Sequence, residues 1–130
     1  MYPKITDAEL QMMKIFWREN RVLTFTELRE LEHTEGWKKT TVQTVMDRLR
    51  KKGTIVEAPG YDRRGDVAHY APAVSEQAFQ LDESETLLDK AFGGSALKMV
   101  AALRQGGKLS DDEVAQLRAY FQVEDIGNDD

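Results

Sequence analysis

At 130 residues and 41% apolar composition, the chain is long enough for one compact domain, or for a small domain with an oligomerising extension, and too short for an elaborate multidomain enzyme. Its net charge of −5 is unevenly divided: residues 1–74 hold thirteen Lys/Arg against eleven Asp/Glu, a formal +2, and residues 75–130 hold five against twelve, a formal −7. With no cysteine, and with His33 and His69 far apart, disulfides and thiolate metal sites are excluded and neither metal nor cofactor is expected. The longest apolar runs, such as Met99–Leu103, are too short to span a bilayer, and MYPKITDAEL has no apolar leader segment; the expectation is a cytoplasmic protein with no membrane partner.

Thr6-Asp7-Ala8-Glu9 has the form of a capping box, in which the threonine hydroxyl accepts from the glutamate amide and the glutamate side chain reaches back. Leu10, Met13 and Trp17 follow at helical spacing with Phe16 beside them, predicting a first helix to about Asn20 with Trp17 as a core anchor. Thr26 is the expected cap of a shorter second helix, Glu27 to about His33, with Leu28 and Leu31 facing inward. A third helix is predicted from about Lys39 to Lys52, ended by Gly53. Thr54–Ala58 is then rich in strand formers, Pro59-Gly60 and Arg64-Gly65-Asp66 are turn signals, Val67–Tyr70 reads as a returning strand, and Pro72 ends the hairpin.

Ser75 is placed to cap a long helix through Ala91, with Leu81, Leu87, Leu88 and Phe92 at its apolar positions. Gly93-Gly94 breaks it, Ser95 opens a helix carrying Leu97, Val100 and Leu103, and Gly106-Gly107 ends that one. Ser110-Asp111-Asp112-Glu113 is a second capping box, before Val114, Leu117 and Phe121. The expected fold is mainly α with a small β-hairpin wing: a winged helix-turn-helix domain over 1–74, a helical dimerisation region over 75–122 and an acidic, disordered tail over 123–130. Three short helices cover little apolar area, and domains below about 40–50 residues seldom stand alone without staples. Leu88, Phe92, Leu97, Val100 and Phe121 are therefore expected to bury against the same helices of a second chain, forming a homodimer. The alternative is that these helices fold back on the first domain of one monomer.

Six of the eighteen residues from Gly36 to Gly53 are basic, although the chain as a whole is acidic. At a Debye length of about 8–10 Å, a phosphate backbone senses such a local face and not the net charge. At 100° per residue, Val42, Val45, Met46 and Leu49 share one stripe, while Thr40, Thr44, Asp47 and Lys51 lie opposite, flanked by Gln43 and Arg50 on one side and Thr41 and Arg48 on the other. That face suits the major groove of double-stranded DNA. Thr40, Thr41, Gln43 and Thr44 are candidates for base readout, with threonine methyls against thymine methyl and glutamine bidentate to adenine. Lys38, Lys39, Arg48 and Lys51 are candidates for phosphate contact. The short helix before them becomes the supporting member of a helix-turn-helix, and Arg63 and Arg64 become a wing touching backbone or minor groove. The competing descriptions are a basic face that is merely solvated and wing arginines paired with Asp62 and Asp66. Asp47 either accepts from a cytosine amino group or orients Arg50 or Lys51, and orientation is the reading adopted.

The sequence offers no G-x-S-x-G, P-loop or dinucleotide glycine fingerprint; His33 reads as a surface or dipole-compensating residue and His69 as part of the wing strand. A non-enzyme is expected. Two binding classes stay open: a sequence-specific DNA repressor, or a winged-helix protein-interaction scaffold whose Lys/Arg face docks an acidic protein.

Thr6-Asp7-Ala8-Glu9 with Trp17, Trp37 leading into Thr41-Val42-Gln43-Thr44-Val45-Met46-Asp47-Arg48-Leu49, and Lys52-Gly53 together resemble the penicillinase-repressor (BlaI/MecI) family of winged-helix repressors. The resemblance continues through Tyr70-Ala71-Pro72-Ala73-Val74-Ser75, Phe92-Gly93-Gly94-Ser95 and Leu109-Ser110-Asp111-Asp112-Glu113 with Leu117-Arg118, and so covers nearly the whole chain. It implies a homodimeric transcriptional repressor on a palindromic operator, with Thr40, Thr41, Gln43 and Thr44 on the recognition helix and Arg63 and Arg64 in the wing. A signalling protease or another inducer would release it. Two departures bear on that signal: the cysteine cluster of the copper-responsive branch is absent, and the Asn-Phe bond cleaved in the antibiotic-responsive branch has Met99-Val100-Ala101-Ala102-Leu103 in its place.

Overall fold

A computed structural model describes residues 3–31, 37–58 and 67–128 of the chain. Helix α1 (Asp7–Glu19) starts where Thr6 Oγ1 accepts from the Glu9 amide at 3.3 Å and ends at Asn20, which is left-handed at φ 52°. The other half of the expected capping box is not made. Glu9 is 1% exposed, and its two carboxylate oxygens instead accept from Lys52 Nζ at 2.8 and 2.6 Å, while the same ammonium donates to the Lys4 carbonyl at 2.7 Å. A buried carboxylate gains more from a charge-assisted pair than from one local amide, and all three lysine donors are used.

The two-residue strand β1 (Leu23–Thr24) leads directly into α2 (Phe25–Leu31). Thr24, and not Thr26, caps that helix: its Oγ1 accepts from the Glu27 amide at 3.1 Å and Glu27 Oε1 accepts from the Thr24 amide at 2.9 Å. The box is thus Thr24-Phe25-Thr26-Glu27, and the helix begins two residues earlier than its sequence suggests. Arg21 Nη1 donates to the other Glu27 oxygen at 2.7 Å. The Glu27 carboxyl is held below its ordinary range, first by the Thr24 amide and then by Arg21.

Helix α3 (Lys39–Lys51) buries Val42, Val45, Met46 and Leu49, the expected stripe. It ends in a Schellman turn, with Gly53 N–H on the Arg50 carbonyl and Thr54 N–H on the Leu49 carbonyl, both at 3.1 Å. Gly53 sits at φ 77°, a conformation that side chains other than glycine adopt poorly. Strands β2 (Ile55–Glu57) and β3 (His69–Pro72) complete an antiparallel sheet in the order β1-β3-β2, so the returning strand is central and lies two residues beyond its predicted position. Ala73 N–H donates to Thr54 O and Ala58 N–H to His69 O, both at 2.8 Å. With alternating bonded pairs, the Ile55–Pro72 pair between them is a non-hydrogen-bonded one, and the missing proline N–H removes no bond to β2. The turn signals over 59–66, with Arg63 and Arg64, lie outside the described residues, as does His33.

Helices α4 (Glu76–Phe92), α5 (Ala96–Gln105) and α6 (Asp111–Asn128) follow. Their serine caps are formed as expected: Ser75 Oγ accepts from Ala78 N–H, Ser95 Oγ from Lys98 N–H and Ser110 Oγ from Glu113 N–H, at 3.1–3.2 Å. Glu113 Oε1 completes its box by accepting from Ser110 N–H at 3.2 Å. Helix α6 continues to Asn128, through most of the stretch expected as a disordered tail; no proline interrupts it, and acidic residues alone do not stop a helix.

The chain divides into two compact units, residues 1–82 and 83–130, with the division inside α4. The reason is that Val74 and Phe79 are buried in the core of the first unit, together with Met12, Met13, Ile15 and Phe16 of α1, Leu23, Leu28, Ile55 and the α3 stripe. Trp17 ties this junction: its Nε1 donates to the Val74 carbonyl at 2.9 Å and its ring packs on Phe79 at 5.5 Å between centroids. In the second unit, no described side chain is buried.

The Lys52→Met variant should lose about 3 kcal/mol of stability, the lower end for a broken buried pair because the Lys52 side chain keeps 27% exposure. Adding Glu9→Leu should restore most of that loss, as read from urea denaturation midpoints. Glu27 makes acid stability measurable too. Its depressed folded pKa gives stability that is present above the unfolded value of about 4.3 and lost as pH falls through the folded value. The unfolding midpoint should therefore fall less steeply below about pH 5 in Glu27→Gln than in the parent chain.

Candidate nucleic-acid interface

The stripe that sinks α3 into the core fixes what the helix presents on its other side. Lys38, Lys39, Thr40, Thr41, Gln43, Thr44, Asp47, Arg48, Arg50 and Lys51 are all exposed. The four residues expected to read bases and the four expected to hold phosphates thus share one continuous surface. Lys38 and Lys39 put positive charge at its N-terminal end, where no acidic residue lies in the first turn; Thr40, Thr41 and Thr44 make a short-chained polar stretch, and Arg48, Arg50 and Lys51 make the last turn basic. Lys52, the sixth basic residue of the stretch, is not on this surface, because its ammonium is held by Glu9.

Within the face, hydrogen bonds order several side chains. Thr44 Oγ1 donates to the Thr40 carbonyl at 2.8 Å, so what remains for a partner is its methyl group and the oxygen lone pairs. Gln43 Nε2 donates to Asp47 Oδ1 at 3.0 Å. This corrects the expected role of Asp47: among the described residues it pairs with neither Arg50 nor Lys51. Arg50 lies instead over the ring of Tyr70 on β3, 5.2 Å from its centroid. Delocalised guanidinium charge over an aromatic face is attracted to the ring quadrupole, and the contact joins the helix to the sheet beside it.

Between α3 and β2 runs an open groove of about 560 Å³, lined by Asp47, Arg50, Lys51, Ile55, Val56 and Glu57. Asp47 and Glu57 place acidic groups among its cations, so the basic surface is a mixed one and not a uniform positive field. A second hollow of about 500 Å³ lies beside Trp17, Asn20, Arg21 and the 71–76 segment. Among the described residues, no group of three or more His, Asp or Glu is placed to hold a metal ion, and no helix is long and apolar enough to cross a membrane.

A small exposed polar network that sequence reading did not find joins the end of α1 to the start of α2. Arg21 bridges Glu19 at the end of α1 and Glu27 at the start of α2, at 3.6 and 2.7 Å. Bonding to Glu27 raises the Arg21 guanidinium above its already high pKa. The Thr24–Glu27 spacing was its one local signal. The Gln43–Asp47 bond also had a signal, the i, i+4 spacing at which glutamine and aspartate meet on a helix.

Comparison with known proteins adds an independent line. A family model described as penicillinase repressor matches residues 5–123. The penicillinase repressor of Bacillus licheniformis is 31% identical over 115 residues, covering 88% of this chain and 87% of that protein. The methicillin resistance regulatory protein MecI of Staphylococcus aureus (strain N315) is 27% identical over 117 residues, covering 88% and 90%. Among solved structures, the solution structure of the DNA binding domain of the repressor BlaI is 34% identical over 60% of this chain and 90% of that chain, with a TM-score of 0.49. With a family match that takes in both units, the chain belongs to the penicillinase repressor family.

Proposed function

We propose that the chain is a cytoplasmic repressor that binds a palindromic operator as a homodimer, inserting α3 into the major groove of each half-site. The family is one of transcriptional repressors and not of enzymes, and DNA binding by this chain follows from membership. The observation that carries the finer reading is the two-sided character of α3: one side buried in the core, the other an exposed run of Thr40, Thr41, Gln43 and Thr44 bounded by cations. In this reading those four residues touch base edges, Lys38, Lys39, Arg48 and Lys51 touch phosphates, and Arg63 and Arg64 act in the wing.

The dimer is supported by the second unit. Leu97 is 80% exposed, Val100 and Phe121 are also exposed, and Leu88 and Phe92 are half-buried. So many apolar side chains on short helices without a buried core fit an interface between copies of the chain. A two-fold dimer places its half-sites about one helical turn, or a multiple, apart. The inducing event, proteolytic or otherwise, acts on this assembly.

Gln43→Ala should relax sequence preference and cost about 1–3 kcal/mol on the operator, whereas Lys51→Ala should weaken all duplexes alike and lower the salt slope by about one. Titration against the upstream DNA of its own gene and a scrambled duplex at physiological salt checks both. Equal binding of the parent chain to the two, repeated with sequences selected from a random pool, would favour the interaction scaffold instead. Leu97→Asp adds charge where nothing is buried in the monomer, so it should leave folding intact, shift sedimentation to the monomer and abolish tight operator binding. A variant that still sediments as a dimer would place the interface elsewhere.

A further inference from the structure

We infer that Asp47 is a positioning residue for base specificity, which fixes the carboxamide of Gln43 so that it reads adenine and rejects guanine. The inference rests on α3 being the reading helix, as proposed above, and extends it to a residue outside the base-contact and phosphate-contact sets. Gln43 and Asp47 are both exposed, one helical turn apart, and joined by the Nε2–Oδ1 hydrogen bond of 3.0 Å.

A free glutamine amide is ambiguous, since rotation by half a turn exchanges its oxygen and nitrogen at little cost. A carboxylate removes that ambiguity, because it accepts hydrogen bonds and cannot donate them. Facing Asp47, the amide must present nitrogen, and one of its two hydrogens is thereby engaged. What is left for a ligand is one N–H donor and the carbonyl acceptor, in a fixed order. The major-groove edge of adenine offers N7 as acceptor and N6–H as donor, which this remainder matches. The edge of guanine offers two acceptors, N7 and O6, and asks for two donors from one side chain. Gln43 can supply them only by breaking its bond to Asp47.

The carboxylate also explains itself better in this role than as a bystander. A negative charge on a face bound for DNA opposes association with any sequence, and among the described residues neither Arg50 nor Lys51 neutralises it by an ion pair. A carboxylate there is accounted for by a gain in discrimination that offsets a loss in overall affinity.

The test is selection of duplexes from a random pool by the full-length parent, Gln43→Ala, Asp47→Asn, Asp47→Ala and Asp47→Glu chains at one physiological salt concentration. Gln43→Ala identifies the position that Gln43 reads. At that position, Asp47→Asn should lower the adenine-to-guanine preference by about 1.5- to 2.5-fold, the worth of one exposed glutamine–aspartate hydrogen bond. Asparagine keeps the size of aspartate but can donate as well as accept, so it no longer dictates which way the amide faces. Asp47→Ala should do the same, and Asp47→Glu, which remains a pure acceptor, should retain the preference.

An unchanged adenine-to-guanine ratio in Asp47→Asn, or a change spread evenly over all positions, overturns the inference while leaving the repressor reading intact. So does a Gln43→Ala chain that alters no single position. A parent chain with no sequence preference at all overturns both.

Discussion

Everything the first unit presents depends on the burial of one side of α3. Each of Val42, Val45, Met46 and Leu49 contributes about 1.5–3 kcal/mol when removed from water, whereas an exposed pair such as Gln43–Asp47 contributes about 0.2–0.5 kcal/mol. The apolar stripe therefore sets the rotation of the helix about its axis, and the polar face follows from it. A recognition surface built in this way sits on a rigid element whose orientation is decided elsewhere. Side chains on that surface are free to change in order to alter specificity, at little cost to the fold.

The C-terminal end of α3 is secured in several ways, whereas Lys38 at its N-terminus makes no side-chain cap hydrogen bond. The C-terminus is closed by the Schellman turn at Gly53 and by Thr54, whose buried hydroxyl donates to the Leu49 carbonyl at 3.2 Å. It is also joined to the start of α1 through Lys52 and Glu9. An ion pair of this kind often adds less net stability than well-packed apolar residues of equal volume, but it allows little error in position, because misplacement strands a buried charge. Arg50 over Tyr70 links the same turn to the central strand. The last turn of the helix is thus held to α1 on one side and to the sheet on the other, near the groove floored by Ile55.

The two units differ in electrostatic and packing character. The first, with thirteen Lys/Arg and thirteen Asp/Glu, has no net charge and a closed core; the second, with five and ten, carries the whole formal −5 and an unburied set of leucines, valines and aromatics. The net negative charge of the second unit disfavours its approach to a polyanion such as a DNA duplex.

Much of this was legible in the sequence because it is governed by contacts three or four residues apart. The α3 stripe, the Gly53 stop and the caps at Ser75, Ser95 and Ser110 are all set by local spacing. The Thr24 cap was equally local, but it was hidden behind Thr26, a residue of the same type two positions on. Strand β1 was not legible, since two residues have no periodicity and become a strand only by pairing with β3. Nor was the partner of Glu9, because nothing near it in sequence foretells an ammonium forty-three positions away. Asp47 marks the boundary between the two cases. Helical spacing placed Gln43, Arg50 and Lys51 all within its reach, and the choice fell to the tertiary structure: Tyr70 takes Arg50 towards the sheet, and the glutamine amide receives the carboxylate. The sequence by itself determined which face of each helix is apolar and where most helices stop, because those are short-range properties of the backbone. Only the fold decided which charges meet, because that depends on distances between elements that no local pattern encodes.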